Sequence, residues 1–135
     1  MIMARTITGV LVSTATGKAG KKTIEAELRR YYQILGCDTI DIVSRKIGGK
    51  YYDIICDDEA LLKADPVFTA VDVNYQPMLY GSLFICNHDD EGNETSLTPE
   101  DVDNVLSACD KAYVRLIHKD DETLWKLQTI ARVEY

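Results

Sequence analysis

The chain is poor in the residues that mark special classes of protein. It has 3 prolines and 8 glycines in 135 residues, one tryptophan and two phenylalanines, a composition that excludes collagen-like, low-complexity and wholly disordered chains. No apolar run approaches the roughly 18–20 residues that a bilayer-crossing helix needs, so no membrane association is expected. The opening Met1-Ile2-Met3-Ala4-Arg5-Thr6 lacks the charged-then-apolar layout of a signal peptide, and the expected location is cytoplasmic. The four cysteines, Cys37, Cys56, Cys86 and Cys109, form no C-x-x-C pair and have no histidine at zinc-ligand spacing. No metal or other cofactor is expected. Each thiol sits in apolar company, as in Ile54-Ile55-Cys56 and Phe84-Ile85-Cys86, and reads as a small core hydrophobe. Bases are scarce too, because His88 and His118 are the only histidines. A Cys86–His88 pair on one strand face is conceivable, but Cys86 belongs in the core, and no nucleophile with its base, carboxylate pair or metal set is assembled in the sequence. The expectation is a non-enzyme, with an uncharacterised enzyme as the rival reading.

What is present is an ordinary globular composition, 46% hydrophobic and 27% charged, on a length that suits one domain over 1–135. The charge is unevenly laid out. Residues 1–50 carry 9 Lys and Arg against 4 Asp and Glu, whereas residues 51–110 carry 1 against 14, within a net charge of −7. Such an acidic middle repels a phosphate backbone, which argues against direct nucleic-acid binding. Two readings of the block stay open. In one, its acids are solvated faces of loops and helices. In the other, Asp57, Asp58 and Glu59, with Asp89, Asp90 and Glu91, dock onto a host protein with a basic surface. The alternative function is sequestration of a small nucleotide signal by Lys18, Lys21, Lys22, Tyr31 and Tyr80, although tyrosines on an apolar stripe are ordinarily core. The Gly17–Lys22 stretch does not follow the order of a phosphate-binding P-loop.

Periodicity predicts an α+β fold, a mostly antiparallel sheet packed by two helices. Thr6 to Thr14 is β-branched and reads as a strand. Residues 15–22 read as a loop into a helix of about four turns, whose stripe is Ile24, Leu28, Tyr31, Tyr32 and Leu35 and whose end is Gly36. Residues 37–47 and 50–56 flank Gly48-Gly49 as an antiparallel hairpin. Ala60 to Lys63 reads as one helical turn, residues 67–76 as a loop with a short strand, and Pro77 to Asn87 as one strand marked by Gly81. The run from His88 to Glu94 fails the calcium-loop pattern, having Thr98 where that pattern needs Glu. Thr98-Pro99-Glu100-Asp101 is a helix start, with Val102, Val105, Leu106 and Cys109 as the inward stripe, so its acids have a structural role. Beyond Asp110 two strands are expected around Lys119-Asp120-Asp121-Glu122, with a helix over 121–132 as the alternative. These last strands should leave an apolar strip that a homodimer would cover, with Trp125 either nearest that contact or in the core.

Two segments together carry a family likeness: Tyr51-Tyr52-Asp53-Ile54-Ile55-Cys56-Asp57-Asp58-Glu59, and Gly81-Ser82-Leu83-Phe84-Ile85-Cys86-Asn87 running on through Glu91-Gly92-Asn93-Glu94-Thr95-Ser96-Leu97-Thr98. They resemble the domain of unknown function 3846 over about residues 37–110. The resemblance implies a phage or mobile-element accessory protein, a setting in which small acidic proteins block host defences such as CRISPR or restriction nucleases. It implies no catalytic residues.

Overall fold

The computed structural model describes residues 5–63, 66–117 and 123–135. The first sheet is built from β1 (Thr6–Val12), β2 (Ala19–Glu25), β3 (Ile40–Ile47), β4 (Lys50–Asp57) and β7 (Leu83–His88), in the spatial order β2-β1-β7-β4-β3, with the short β8 (Glu94–Thr95) paired to β7. The second comprises β5 (Phe68–Val71), β6 (Pro77–Tyr80), β9 (Cys109–Ile117) and β10 (Thr123–Arg132), in the order β6-β5-β10-β9. Helices α1 (Leu28–Leu35) and α2 (Pro99–Ser107) complete it. Among the described strand pairs only β5 with β10 is parallel. The chain is therefore mostly antiparallel sheet with two helices, and it has a second sheet that periodicity did not separate from the first.

Period-two alternation sends side chains to both faces of the first sheet, and both faces are dry. Val10, Val12, Tyr52, Ile54, Leu83 and Ile85 point one way, into a cluster closed by Val102 and Val105 of α2 and by Ala70 and Ala131 of the second sheet. Ile7, Ile24, Ile55, Phe84 and Cys86 point the other way, against Tyr31 and Leu35 of α1. Burial on both sides explains why β4 and β7 read as continuous apolar runs rather than alternating ones.

The predicted hairpin at Gly48-Gly49 is present, with Ile47 opposite Lys50 and left-handed φ values of 55° and 87° at the two glycines. The predicted α2 start is a full capping box: the Thr98 hydroxyl accepts from Asp101 N, and Asp101 accepts from Thr98 N. Asp101 is also the hub that ties α2 to the sheet. Its Oδ1 accepts from Lys50 Nζ at 2.7 Å and the Tyr52 hydroxyl at 3.1 Å, and its Oδ2 accepts from Asn87 Nδ2 at 2.9 Å and Thr98 N at 3.1 Å. Asn104 donates to both the Tyr52 hydroxyl and Ile47 O, pinning the helix to the hairpin.

Three expectations are corrected. Residues 19–25 are a strand rather than a loop and first helical turn, because they pair along the whole of β1, Thr6 opposite Glu25 and Val12 opposite Ala19. The helix is two turns long and begins at Leu28, and Gly36 ends it as expected. Pro77 to Asn87 is two strands in two different sheets. The chain breaks between them at Gly81, whose φ of 79° a side-chain-bearing residue adopts only with strain. Cys109 opens β9 rather than closing α2, whereas the two strands expected after Asp110 are present as β9 and β10.

Candidate functional site

The sheet topology carries the two acidic triads to opposite ends of the first sheet. β4 and β7 are antiparallel, with Cys56 opposite Leu83 and Asp53 opposite Cys86. Asp57, Asp58 and Glu59 therefore leave β4 at the end where β7 begins, and Asp89, Asp90 and Glu91 follow β7 at the other end, about 20 Å away at strand rise.

At the first end the chain closes a groove of about 410 Å³ between β3, β4, the single 3-10 turn Ala60–Leu62 and β6. Its floor is apolar, from Val43, Cys56, Met78, Leu79 and Tyr80, and its rim is acidic, from Asp41, Asp58 and Glu59. Not every acid of the triad faces out. The Asp57 side chain is only 6% exposed; its Oδ1 accepts from Glu59 N at 2.9 Å and its Oδ2 lies 3.5 Å from Lys63 Nζ, so it builds the turn. Asp58 and Glu59 are exposed. The residues that sequence reasoning passed over are Leu61 and Leu62, 64% and 82% exposed at the lip of this groove. Two adjacent leucines inside the acidic stretch 57–65 were the available signal. Cys56, in the floor, is no nucleophile: burial first, then the neighbouring Asp41, push its thiol up to about 12.

The second triad belongs to the β7–β8 turn. Asp89 Oδ1 accepts from Glu91 N and Asn93 N at 3.0 and 2.8 Å, and the Asn93 backbone bond leads in holding its carboxyl below the usual range. Asp90 and Glu91 are exposed. Beside them His88 Nδ1 lies 3.1 Å from Asp53 Oδ1. Cys86 shares that strand face but is fully buried, and burial, with Asp53 and Glu94 nearby, pushes its thiol up to about 12. This pair presents no thiolate for attack. His118 lies outside the described residues.

The alternative ligand set is not brought together. Lys18 is in the β1–β2 turn, and Lys21 and Lys22 point to opposite faces of β2, opposite Val10 and Gly9. Tyr31 is 4% exposed in the core under α1, where burial leads in pushing its hydroxyl up to about 12, and so cannot stack on a ligand. Tyr80 lies in the acidic groove, edge-on to Phe68 at 6.5 Å. Among the described residues no three metal-ligating side chains converge, and no helix is long and apolar enough to cross a membrane.

A further concavity, about 380 Å³, lies where the two sheets meet and is lined by Lys46, Gly48, Asn104, Arg132 and Tyr75. Tyr75 has a φ of 60°, held by a loop in which Asn74 N and Gln76 N both donate to Asp72 Oδ1.

No curated protein and no solved structure matches the chain. One family model does, described as Domain of unknown function (DUF3846), over residues 7–110. The match takes in β1, β2 and α1 as well as the expected 37–110, as the fold requires, because β1 is the strand on which β7 pairs at Leu83 to Ile85. By that match over most of its length, the chain belongs to the family of the domain of unknown function 3846.

Proposed function

We propose that the chain is a non-catalytic binding module whose acidic groove docks a basic, amphipathic segment of a partner protein. The observation that carries the reading is the pairing of two well-exposed leucines with Asp41, Asp58 and Glu59 around one apolar floor. Apolar anchors supply affinity where water is excluded, and a rim of one sign selects and steers a partner of the other sign. A host-defence protein such as a CRISPR or restriction nuclease, whose basic surface ordinarily holds nucleic acid, is the partner class that suits a mobile-element accessory protein. Occupying that surface would inhibit it.

The test is a pulldown of host proteins with mass spectrometry, run in parallel on the wild type and on a variant carrying Asp58→Asn, Glu59→Gln, Leu61→Ser and Leu62→Ser. Asp57 is left in place because it holds the turn. A basic protein captured by the wild type, lost with the variant and released by salt is the expected result. Capture that the variant leaves undiminished overturns the groove as the docking surface.

A further inference from the structure

β3 is the outermost strand on its side of the first sheet, whose spatial order ends β7-β4-β3. A strand in that place turns alternate backbone N–H and C=O groups to its one neighbour and the rest outward. Lys46 shows which residues face out. Its N–H donates to Glu134 O at 2.7 Å and its C=O accepts from Glu134 N at 2.8 Å, an antiparallel bridge on the side away from β4. Tyr135, the next residue, lays its ring against the Arg45 guanidinium at 4.8 Å. By period two, Ser44, Ile42 and Ile40 turn their backbone groups outward as well. Among the described residues no strand pairs with them on that side. Neighbouring side chains hold two of these groups instead: Ile42 N donates to Asp41 Oδ1 at 2.9 Å, and Ser44 O accepts from Arg45 Nη1 at 2.9 Å. Charged side chains of this kind occupy a free edge without giving it a ladder.

This edge borders the acidic groove. Asp41 and Val43 alternate with Ile42 and line the groove together with Asp58, Glu59 and Leu61. We infer that the partner segment docks as a β-strand added antiparallel to β3 opposite Ile40 to Ser44, in the direction that Glu134 and Tyr135 already take. The inference rests on the proposed reading of the groove as the site for a basic segment, and it fixes that segment's conformation and pattern. Residues directly opposite in an antiparallel pair send their side chains to the same face. Counted along the partner from the residue opposite Ser44, the second lies against Val43 and is apolar, and the fourth lies against Asp41 and is Lys or Arg. The sixth lies against Thr39, whose carbonyl accepts from Asp58 N, and a second cation there reaches the acids of the rim. The third and fifth lie against Ile42, 42% exposed, and Ile40, and suit β-branched residues. Main-chain bonds supply the affinity, and the alternate side chains supply the selection. Asp41 changes partner on docking: its carboxylate yields Ile42 N to the incoming carbonyl and turns to the cation opposite. A helix laid in the groove would leave Ile42 N and Ser44 O as they are.

The probe is the peptide acetyl-Thr-Leu-Val-Arg-Val-Lys-amide, titrated to millimolar concentration into the isotope-labelled full chain and followed by amide NMR. Saturable binding is expected, with shifts centred on the amides of Ile40, Ile42 and Ser44 and slowed hydrogen exchange at Ile42 and Ser44. N-methylation of the peptide's third residue, whose N–H must donate to Ile42 O, should weaken binding by about tenfold. N-methylation of the fourth, whose N–H faces away from β3, should leave it within about twofold, since no bond to β3 is lost. Asp41→Asn should weaken binding and flatten its dependence on salt, while the asparagine still accepts from Ile42 N and leaves the edge as it is. Equal affinity of the two methylated peptides overturns strand addition, as does a bound peptide that leaves exchange at Ile42 and Ser44 unchanged. Absence of binding at millimolar peptide overturns it too, whatever the pulldown captures. Protection at Ile42 and Ser44 that needs no peptide and rises with protein concentration would put a second copy on the edge and equally overturn it. Failure of the groove reading shows separately, in the pulldown, as capture that the groove variant leaves undiminished.

Discussion

Replacing Asp101 with asparagine keeps the shape of a buried side chain and reverses half of its hydrogen-bonding character. The carboxylate is 5% exposed and accepts four bonds, two on each oxygen. An asparagine amide can accept on one side only, so whichever way it turns, an NH2 group meets two donors. If it faces Lys50 and Tyr52, a buried hydroxyl loses a charged acceptor, which costs about 1.5–3 kcal/mol. The lysine adds little, since its side chain is 54% exposed and returns to water. If it faces Asn87 and Thr98 N, the backbone half of the capping box is lost, about 1 kcal/mol, together with the Asn87 bond. Either way about 2 kcal/mol of stability is lost, or roughly 7 °C in Tm for a chain of this length. The loss should depend on pH. Burial alone would raise the Asp101 carboxyl, but the bonds from Lys50, Thr98 and Asn87 outweigh it and hold the group well below the usual carboxylate range. The stability it contributes is therefore complete above about pH 4, where an unfolded-chain aspartate is ionised, and drains away as pH falls further. Urea unfolding of wild type and Asp101→Asn at pH 7 and at pH 3 should show the gap between them narrowing in acid. A variant within about 0.5 kcal/mol of wild type at pH 7 would refute the reasoning, as would a gap of constant size at both pH values.

Two further outcomes follow from the geometry. Tyr75→Gly removes the steric penalty of a left-handed backbone at φ 60° and should stabilise the protein by about 1 kcal/mol, raising Tm by ~3–4 °C in a thermal scan; a fall in Tm would show that the tyrosine ring makes good the strain locally. Cys37, Cys56 and Cys86 are buried, and burial leads in raising all three thiols, the last two to about 12; all three should resist an aromatic disulfide reagent at pH 8 in the native protein and react once it is unfolded, whereas rapid native labelling of Cys86 would revive the Cys86–His88 reading.

The parts of the fold that were legible in the sequence are those fixed by neighbours in the chain. Gly48-Gly49 can make a tight turn by itself, and Thr98-Pro99-Glu100-Asp101 contains every component of its own capping box, so hairpin and helix start lie where expected. The errors arose where distant pairing decides. The apolar stripe from Ile24 to Leu35 spans the junction of a strand and a helix. Ile24 is buried as a strand residue opposite Ile7, Leu28 is 51% exposed, and the helix proper is anchored by the buried Tyr31 and Leu35 with Tyr32 and Ile34 packed beside them. Gly81 marks the place locally, but nothing local tells an irregular strand from a change of sheet, because the break at Gly81 lets β6 join β5 while β7 inserts between β1 and β4. The candidate site was half legible for the same reason. Asp58 and Glu59 follow from the charge pattern, but the separation of the two acidic triads, the burial of Asp57 and the outward position of Leu61 and Leu62 are properties of the topology.

The parallel pairing of β5 with β10 also bears on how the chain comes to be folded. Ala70 and Val71 wait for Ala131 and Arg132, and Ala131 and Val133 are needed to close the cluster on one side of the first sheet. The chain must be synthesised at least as far as Val133 before that cluster can exclude water. Until then the apolar faces of β1, β4 and β7 on that side are open, with loops of some 60 residues still to be closed at an entropic cost. Such a topology folds slowly, in milliseconds to seconds rather than microseconds, and its exposure to aggregation is greatest in the interval when β5 and β6 have formed and β10 has not yet docked.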